Sequence, residues 1–88
     1  MPTLTSELNN QVIATGVRFR DSLITISLND HREISISLNS AKWLKWLSDA
    51  TKEQRENWSI EPGGYAIYWE DLDDGIEVRD LLDSRPIS

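Results

Sequence analysis

Two runs of strict period-2 alternation constrain this chain more than any other feature. In Leu23–Leu28, Ile24, Ile26 and Leu28 alternate with Thr25 and Ser27, and in Glu33–Leu38, Ile34, Ile36 and Leu38 alternate with Ser35 and Ser37. Successive side chains of a strand point to opposite faces, so each run predicts a strand that is apolar on one face and polar on the other. Between them lies the polar tetrapeptide Asn29-Asp30-His31-Arg32, suited to a hairpin loop. Upstream, Val17 and Phe19 alternate with Arg18 and Arg20 in a third extended run, Val12–Arg20, which Gly16 can bend and which ends at the turn residues Asp21-Ser22. These runs predict an antiparallel meander with one apolar face.

At Leu38 the period shifts from 2 towards 3.6. Ala41, Leu44 and Leu47 share one helical face, with Asn39 or Ser40 as the expected N-cap. Trp43 and Trp46 lie three residues apart on a flank of that helix, which predicts one ring against the sheet and the other partly exposed. Thr51 followed at the third position by Gln54 is a capping-box pattern for a second short helix through about Glu56, closed at Asn57. Beyond it, Trp58–Glu61 and Ala66–Trp69 read as extended pieces around the turn Pro62-Gly63-Gly64. Asp73-Asp74-Gly75 is a further turn before an extended Ile76–Val78, and Leu81 and Leu82 give an apolar end to a polar tail. The predicted fold class is α+β, a small antiparallel meander sheet with two short helices packed on one face. The expected organisation is a flexible arm over residues 1–11, a single domain over 12–83 and a polar tail over 84–88.

Composition narrows the function classes. The chain has no cysteine, so disulfides, thiolate metal sites and thiol nucleophiles are excluded. The first ten residues have neither a basic region nor an apolar run, and no stretch approaches the roughly 18 apolar residues of a membrane helix. The expected location is the cytoplasm. Fifteen acidic residues against nine basic ones give a net charge of −6, a sign that opposes nonspecific attraction to nucleic acid. The acids crowd towards the C-terminal third, from Glu61 onwards.

No catalytic, cofactor or metal constellation emerges. The run Glu70-Asp71-Leu72-Asp73-Asp74-Gly75 invites a calcium-loop reading. With Gly75 at the sixth loop position, however, Leu72 falls on a ligand position and Leu81 on the twelfth, where an oxygen is required. Adjacent acids on a solvated turn also lack the divergent environments that general acid–base chemistry needs. His31 is the one histidine and sits in a predicted loop, no serine lies in a Gly-x-Ser-x-Gly elbow, and Gly63-Gly64 is followed by no Lys-Ser/Thr of a phosphate loop. Four tryptophans in 88 residues stand out instead. Trp58 and Trp69 read as core, whereas Trp43 and Trp46, beside Lys42 and Lys45, are candidates for core or for a partner anchor.

The order of motifs Gln54-Arg55-Glu56-Asn57-Trp58, then Gly63-Gly64-Tyr65-Ala66-Ile67-Tyr68-Trp69, then Leu72-Asp73-Asp74-Gly75-Ile76-Glu77-Val78 with Leu81-Leu82 resembles the small bacterial domain-of-unknown-function family numbered 2442. With the upstream strands the resemblance spans about Val12 to Leu82. Two positions depart from the family pattern: Glu70 stands where a proline is common, and Gly75 where an acid is common. The resemblance implies a small α+β fold with no assigned reaction. It also implies that members are sometimes fused to a helix-turn-helix segment and frequently encoded beside another small protein in toxin–antitoxin-like pairs. With Ser88 as the last residue of this sequence, a DNA-reading role is expected to use the domain itself.

The functional expectation is therefore a non-enzymatic interaction module, the antitoxin-like half of a two-gene pair, holding a basic protein partner through Trp43, Trp46, Glu70, Asp71, Asp73 and Asp74. The alternative is a nucleic-acid-associated regulator using Arg18, Arg20, Arg32, Lys42 and Lys45 as a local basic patch. A small antiparallel sheet also leaves an edge that can pair two copies, so monomer and homodimer both stay open.

Overall fold

A computed structural model describes residues 11–83; the arm expected over 1–11, save Gln11, and the tail at 84–88 lie outside the described residues. The three alternating runs form one antiparallel sheet, β1 (Ala14–Arg20), β2 (Leu23–Leu28) and β3 (Glu33–Ser37), in that order. The register aligns Phe19, Ile24 and Ile36 in one cross-strand row and Val17, Ile26 and Ile34 in the next, so the period-2 pattern makes a continuous apolar face. A bulge between Ala14 and Gly16 bends the start of β1. Asp21 takes the left-handed backbone (φ 54) that a two-residue hairpin turn requires.

The helical segment is shorter and more irregular than its periodicity predicts. A 3-10 turn, Lys42–Leu44, runs into one turn of helix, α1 (Lys45–Ser48). The expected cap at Asn39 or Ser40 is not used: Ala41 is the N-cap residue and makes no side-chain cap bond. The reason is local, since the backbone N–H groups of both Ser40 and Ala41 donate to Ser37 O, spending those residues on the turn out of β3. The second helix, α2 (Lys52–Glu56), forms as its capping box specifies, with Gln54 N donating to Thr51 Oγ1 at 3.1 Å and Thr51 N donating to Gln54 Oε1 at 2.9 Å.

A second antiparallel sheet follows, β4 (Trp58–Ile60), β5 (Ala66–Trp69) and β6 (Asp74–Glu77). Its final strand ends one residue earlier than expected. Val78 instead opens a helix, α3 (Val78–Asp83), where the sequence reading placed only an apolar end. Val78 N–H closes the sheet by donating to Tyr65 O at 2.8 Å, after which Val78 and Leu81 turn into the core. The observed architecture is thus α+β, with two three-stranded antiparallel sheets and short helices. No helix among the described residues is long and apolar enough to cross a membrane.

Trp69 joins the pieces. Its fully buried ring meets Phe19 of the first sheet edge-on at 6.5 Å and Trp46 of α1 edge-on at 5.6 Å. Its Nε1–H donates to Arg55 O at 2.9 Å, and the Arg55 guanidinium in turn donates to Leu47 O and Ser48 O at the end of α1. Helix α2 buries no residue of its own, and these polar ties hold it in place.

Candidate functional site

The alternation of β5 decides what the second sheet shows to solvent. Ile67 and Trp69 point into the core, which leaves Ala66 and Tyr68 on the outer face. Across the ladder, Tyr68 is paired with Gly75. A β-carbon at Gly75 would lie 2.5 Å from Ile67 O and 3.4 Å from Cδ1 of Tyr68, so the bare glycine lets the tyrosine ring lie close over β6. The turn at the other end of β5 also depends on glycine. Gly64 has φ +79, and a β-carbon there would meet Ile13 at 2.8 Å, while its carbonyl accepts from Ala14 N at 2.8 Å and fastens the turn to β1.

The outcome is an open groove of about 520 Å³ on this face, lined by Tyr65 and Tyr68 with the carboxylates of Glu61, Asp73, Asp74 and Glu77 around them. The Tyr68 hydroxyl donates to Asp73 Oδ1 at 2.6 Å, and Asp73 can present that oxygen because its backbone is left-handed (φ 51) after the 3-10 turn Glu70–Leu72. This hydrogen bond, followed by desolvation and the nearby charges of Asp73, Glu70 and Glu61, holds the tyrosine hydroxyl above its usual ionisation range. Asp74 Oδ1 accepts from Gly75 N at 2.8 Å and steadies the entry to β6. Tyr65 is half exposed, at 52%, and its hydroxyl donates to the Gln11 side chain. On its other side Tyr65 borders a pocket of about 490 Å³ formed with Val12, Val78 and Leu82.

The six residues singled out in the sequence separate into three places. Asp73 and Asp74 line the groove. Glu70 and Asp71 are exposed on the turn leading into it, where Asp71 accepts from Asn57 Nδ2 at 3.0 Å. Trp46 is half-buried against Trp69 on the opposite, core side of the sheet, with its Nε1–H donating to Trp43 O at 3.0 Å. Trp43 is 43% exposed, so the expectation of one inward and one outward ring holds. Neither tryptophan lines the groove. The aromatic groups that do are Tyr65 and Tyr68, which are not among the six residues; with them stand Glu61 and Glu77, which the sequence marks only as part of its acidic C-terminal third. The signal for Tyr68 was there: within Ala66–Trp69 it holds the position that must face away from Ile67 and Trp69.

Among the described residues the carboxylates form no group of three or more placed to hold a metal ion. None of the three ion pairs among these residues involves a groove carboxylate. Those pairs instead occupy the alternative basic patch: Arg18 bridges to Glu33 at 3.0 Å, Arg32 to Asp30 at 2.7 Å and Lys45 to Asp49 at 3.1 Å. Local neutralisation of three of its five cations weakens that patch as a phosphate-binding surface.

The chain matches the profile of the family described as "Protein of unknown function (DUF2442)" over residues 14–86. No curated protein matches it. Among solved structures, it is similar to the crystal structure of a protein of unknown function from Rhodospirillum rubrum, with 21% identity and a TM-score of 0.68, covering 83% of this chain and 87% of that one. It is also similar to the solution structure of an uncharacterised protein from Chromobacterium violaceum, with 22% identity and a TM-score of 0.70, covering 99% of this chain and 78% of that one. At these identities the two likenesses establish the fold alone.

Proposed function

Since the chain belongs to the DUF2442 family of proteins of unknown function, we propose that it acts by binding rather than by catalysis, as a module that holds a basic protein partner in the acidic, tyrosine-lined groove of its second sheet. The observation that carries this reading is the groove itself, where four carboxylates without an ion-pair partner among the described residues surround two tyrosines. Such a surface offers charge to lysine or arginine side chains and aromatic faces on which a cation or its aliphatic stem can rest. The exposed Trp43 belongs to a separate surface and is a second anchor only for a partner large enough to reach it. In this reading the protein works in the cytoplasm as the neutralising half of a two-gene pair, a role supported by the arrangement common among the proteins its motifs resemble.

The test is capture of the tagged full chain from its own cells at low and moderate salt, with and without nuclease, beside the double variant Asp73→Asn/Asp74→Asn. A stoichiometric basic protein, released as salt screens the groove and absent from the variant, is the expected result. Recovery that depends on nucleic acid would favour the regulator reading, and a preparation without a partner at either salt would count against a binding module.

A further inference from the structure

We propose that β3 is a self-pairing edge, through which two copies of this chain join their first sheets into one six-stranded antiparallel sheet. The other three sheet edges carry devices that discourage such pairing. β1 has its bulge and the charged Arg18 and Arg20, β4 is only three residues long, and β6 carries Asp74 and Glu77. After Glu33, β3 has none of these: Ile34-Ser35-Ile36-Ser37 contains no charge, proline or bulge.

The direction of its backbone groups follows from the ladder. Leu28 N donates to Arg32 O and Leu38 N donates to Ser22 O, and the register places Ile26 against Ile34 and Ile24 against Ile36. Hydrogen-bonded pairs alternate along an antiparallel ladder, so residues 32, 34, 36 and 38 turn their amides towards β2, and Glu33, Ser35 and Ser37 turn theirs outward. Ser37 O bears this out by accepting from the turn that follows. Among the described residues, the outward backbone groups of Glu33 and Ser35 have no backbone partner.

The short sequence is also complementary to itself. With Ser35 on a two-fold axis, Ser35 faces Ser35 of the second copy in a hydrogen-bonded pair, Ile34 faces Ile36, and Glu33 faces Ser37. The half-buried Ile34 and Ile36 then extend one apolar row across the junction, with no like charges opposed. Charge distribution favours the same edge. Residues 11–48 carry five cations against three acids, whereas residues 49–88 carry four against eleven, so pairing through β3 joins the nearly balanced halves and keeps the acidic ones apart.

The measurement is sedimentation equilibrium of the full chain over a wide concentration range, with Ser35→Lys, Ser35→Glu and an equal mixture of the two. The wild type is expected at twice the chain mass and each variant alone at the chain mass, because like charges then meet across the axis. The mixture should return to twice the chain mass, because opposite charges meet there. Both variants lose the 2.7 Å contact between the Thr25 and Ser35 hydroxyls, so recovery in the mixture separates edge pairing from damage to the fold. A wild type that stays monomeric overturns the proposal. So does a dimer indifferent to either substitution, or a mixture that fails to recover. None of these results bears on the groove of the second sheet.

Discussion

The two sheets of this protein reach the same core by different means. In the first, strands of seven, six and five residues share a regular alternation, and its apolar rows repeat from strand to strand. In the second, strands of three, four and four residues leave too little length for a pattern to act. Its place in the core rests on particular contacts: the Trp69 ring between Phe19 and Trp46, the indole bond to Arg55, and the glycines that let β5 lie close to its neighbours. A sheet built this way has an outer face with few structural duties. That is where the groove and its four carboxylates are found.

If the second sheet depends on single contacts, removing one should be far more damaging than a comparable loss at the surface. Trp69→Ala takes away a fully buried ring and leaves Arg55 O without its donor, an expected loss of about 3–5 kcal/mol. Total stability for a chain this small is about 5–10 kcal/mol, so the loss takes from about a third to all of it. Trp43→Ala, at a site 43% exposed, should cost less than about 1 kcal/mol. Urea midpoints compare the two directly, and similar losses would mean that Trp69 is not the junction its contacts imply.

Gly75→Ala sharpens the same contrast with a smaller change. Its new β-carbon would press on Ile67 O, a backbone atom that moves only if β5 and β6 separate, for an expected loss of about 1–3 kcal/mol. Gly16→Ala, in the bulge of β1, meets nothing within 4 Å and should lie within about 1 kcal/mol of the wild type. Equal effects at the two glycines would remove the distinction between a patterned sheet and a contact-dependent one.

The same distinction explains what the sequence made legible. Periodicity works by repetition, so β1, β2 and β3 could be read almost to the residue, as could α2, whose Thr51 and Gln54 make a self-contained motif. The segment before α1 could not, because Ser40 and Ala41 are drawn into the turn from Ser37, a competition that spacing does not reveal. Val78 follows Ile76 at period 2, which predicts strand. Its spacing to Leu81 and Leu82 is also helical, and Val78 serves both patterns, making the last ladder bond to Tyr65 O and opening the helix. In the groove, Asp73 and Asp74 were visible as a charged turn. Glu61 and Glu77, far apart in sequence, come together only through the pairing of β4, β5 and β6.

Protonation separates the sheets a last time, with effects smaller than the packing losses. Glu33 on the first sheet is held below the usual carboxylate range by the hydrogen bond and charge of Arg18. Its contribution to stability is therefore present above the ordinary glutamate range and lost as pH falls through the lowered folded value. Tyr68 on the second sheet is displaced upward, so its contribution is present below the ordinary tyrosine range and lost as pH rises through the raised folded value. The chain has two tyrosines, so in a Tyr65→Phe background ultraviolet titration reports Tyr68 alone. Its midpoint should lie above the ordinary tyrosine value of about 10. Adding Asp73→Asn should bring the midpoint down, because the accepting carboxylate and its charge are both removed. A midpoint that ignores the Asp73 substitution would mean that the tyrosine is not anchored to the acidic turn, and the groove would lose the contact that gives it a fixed shape.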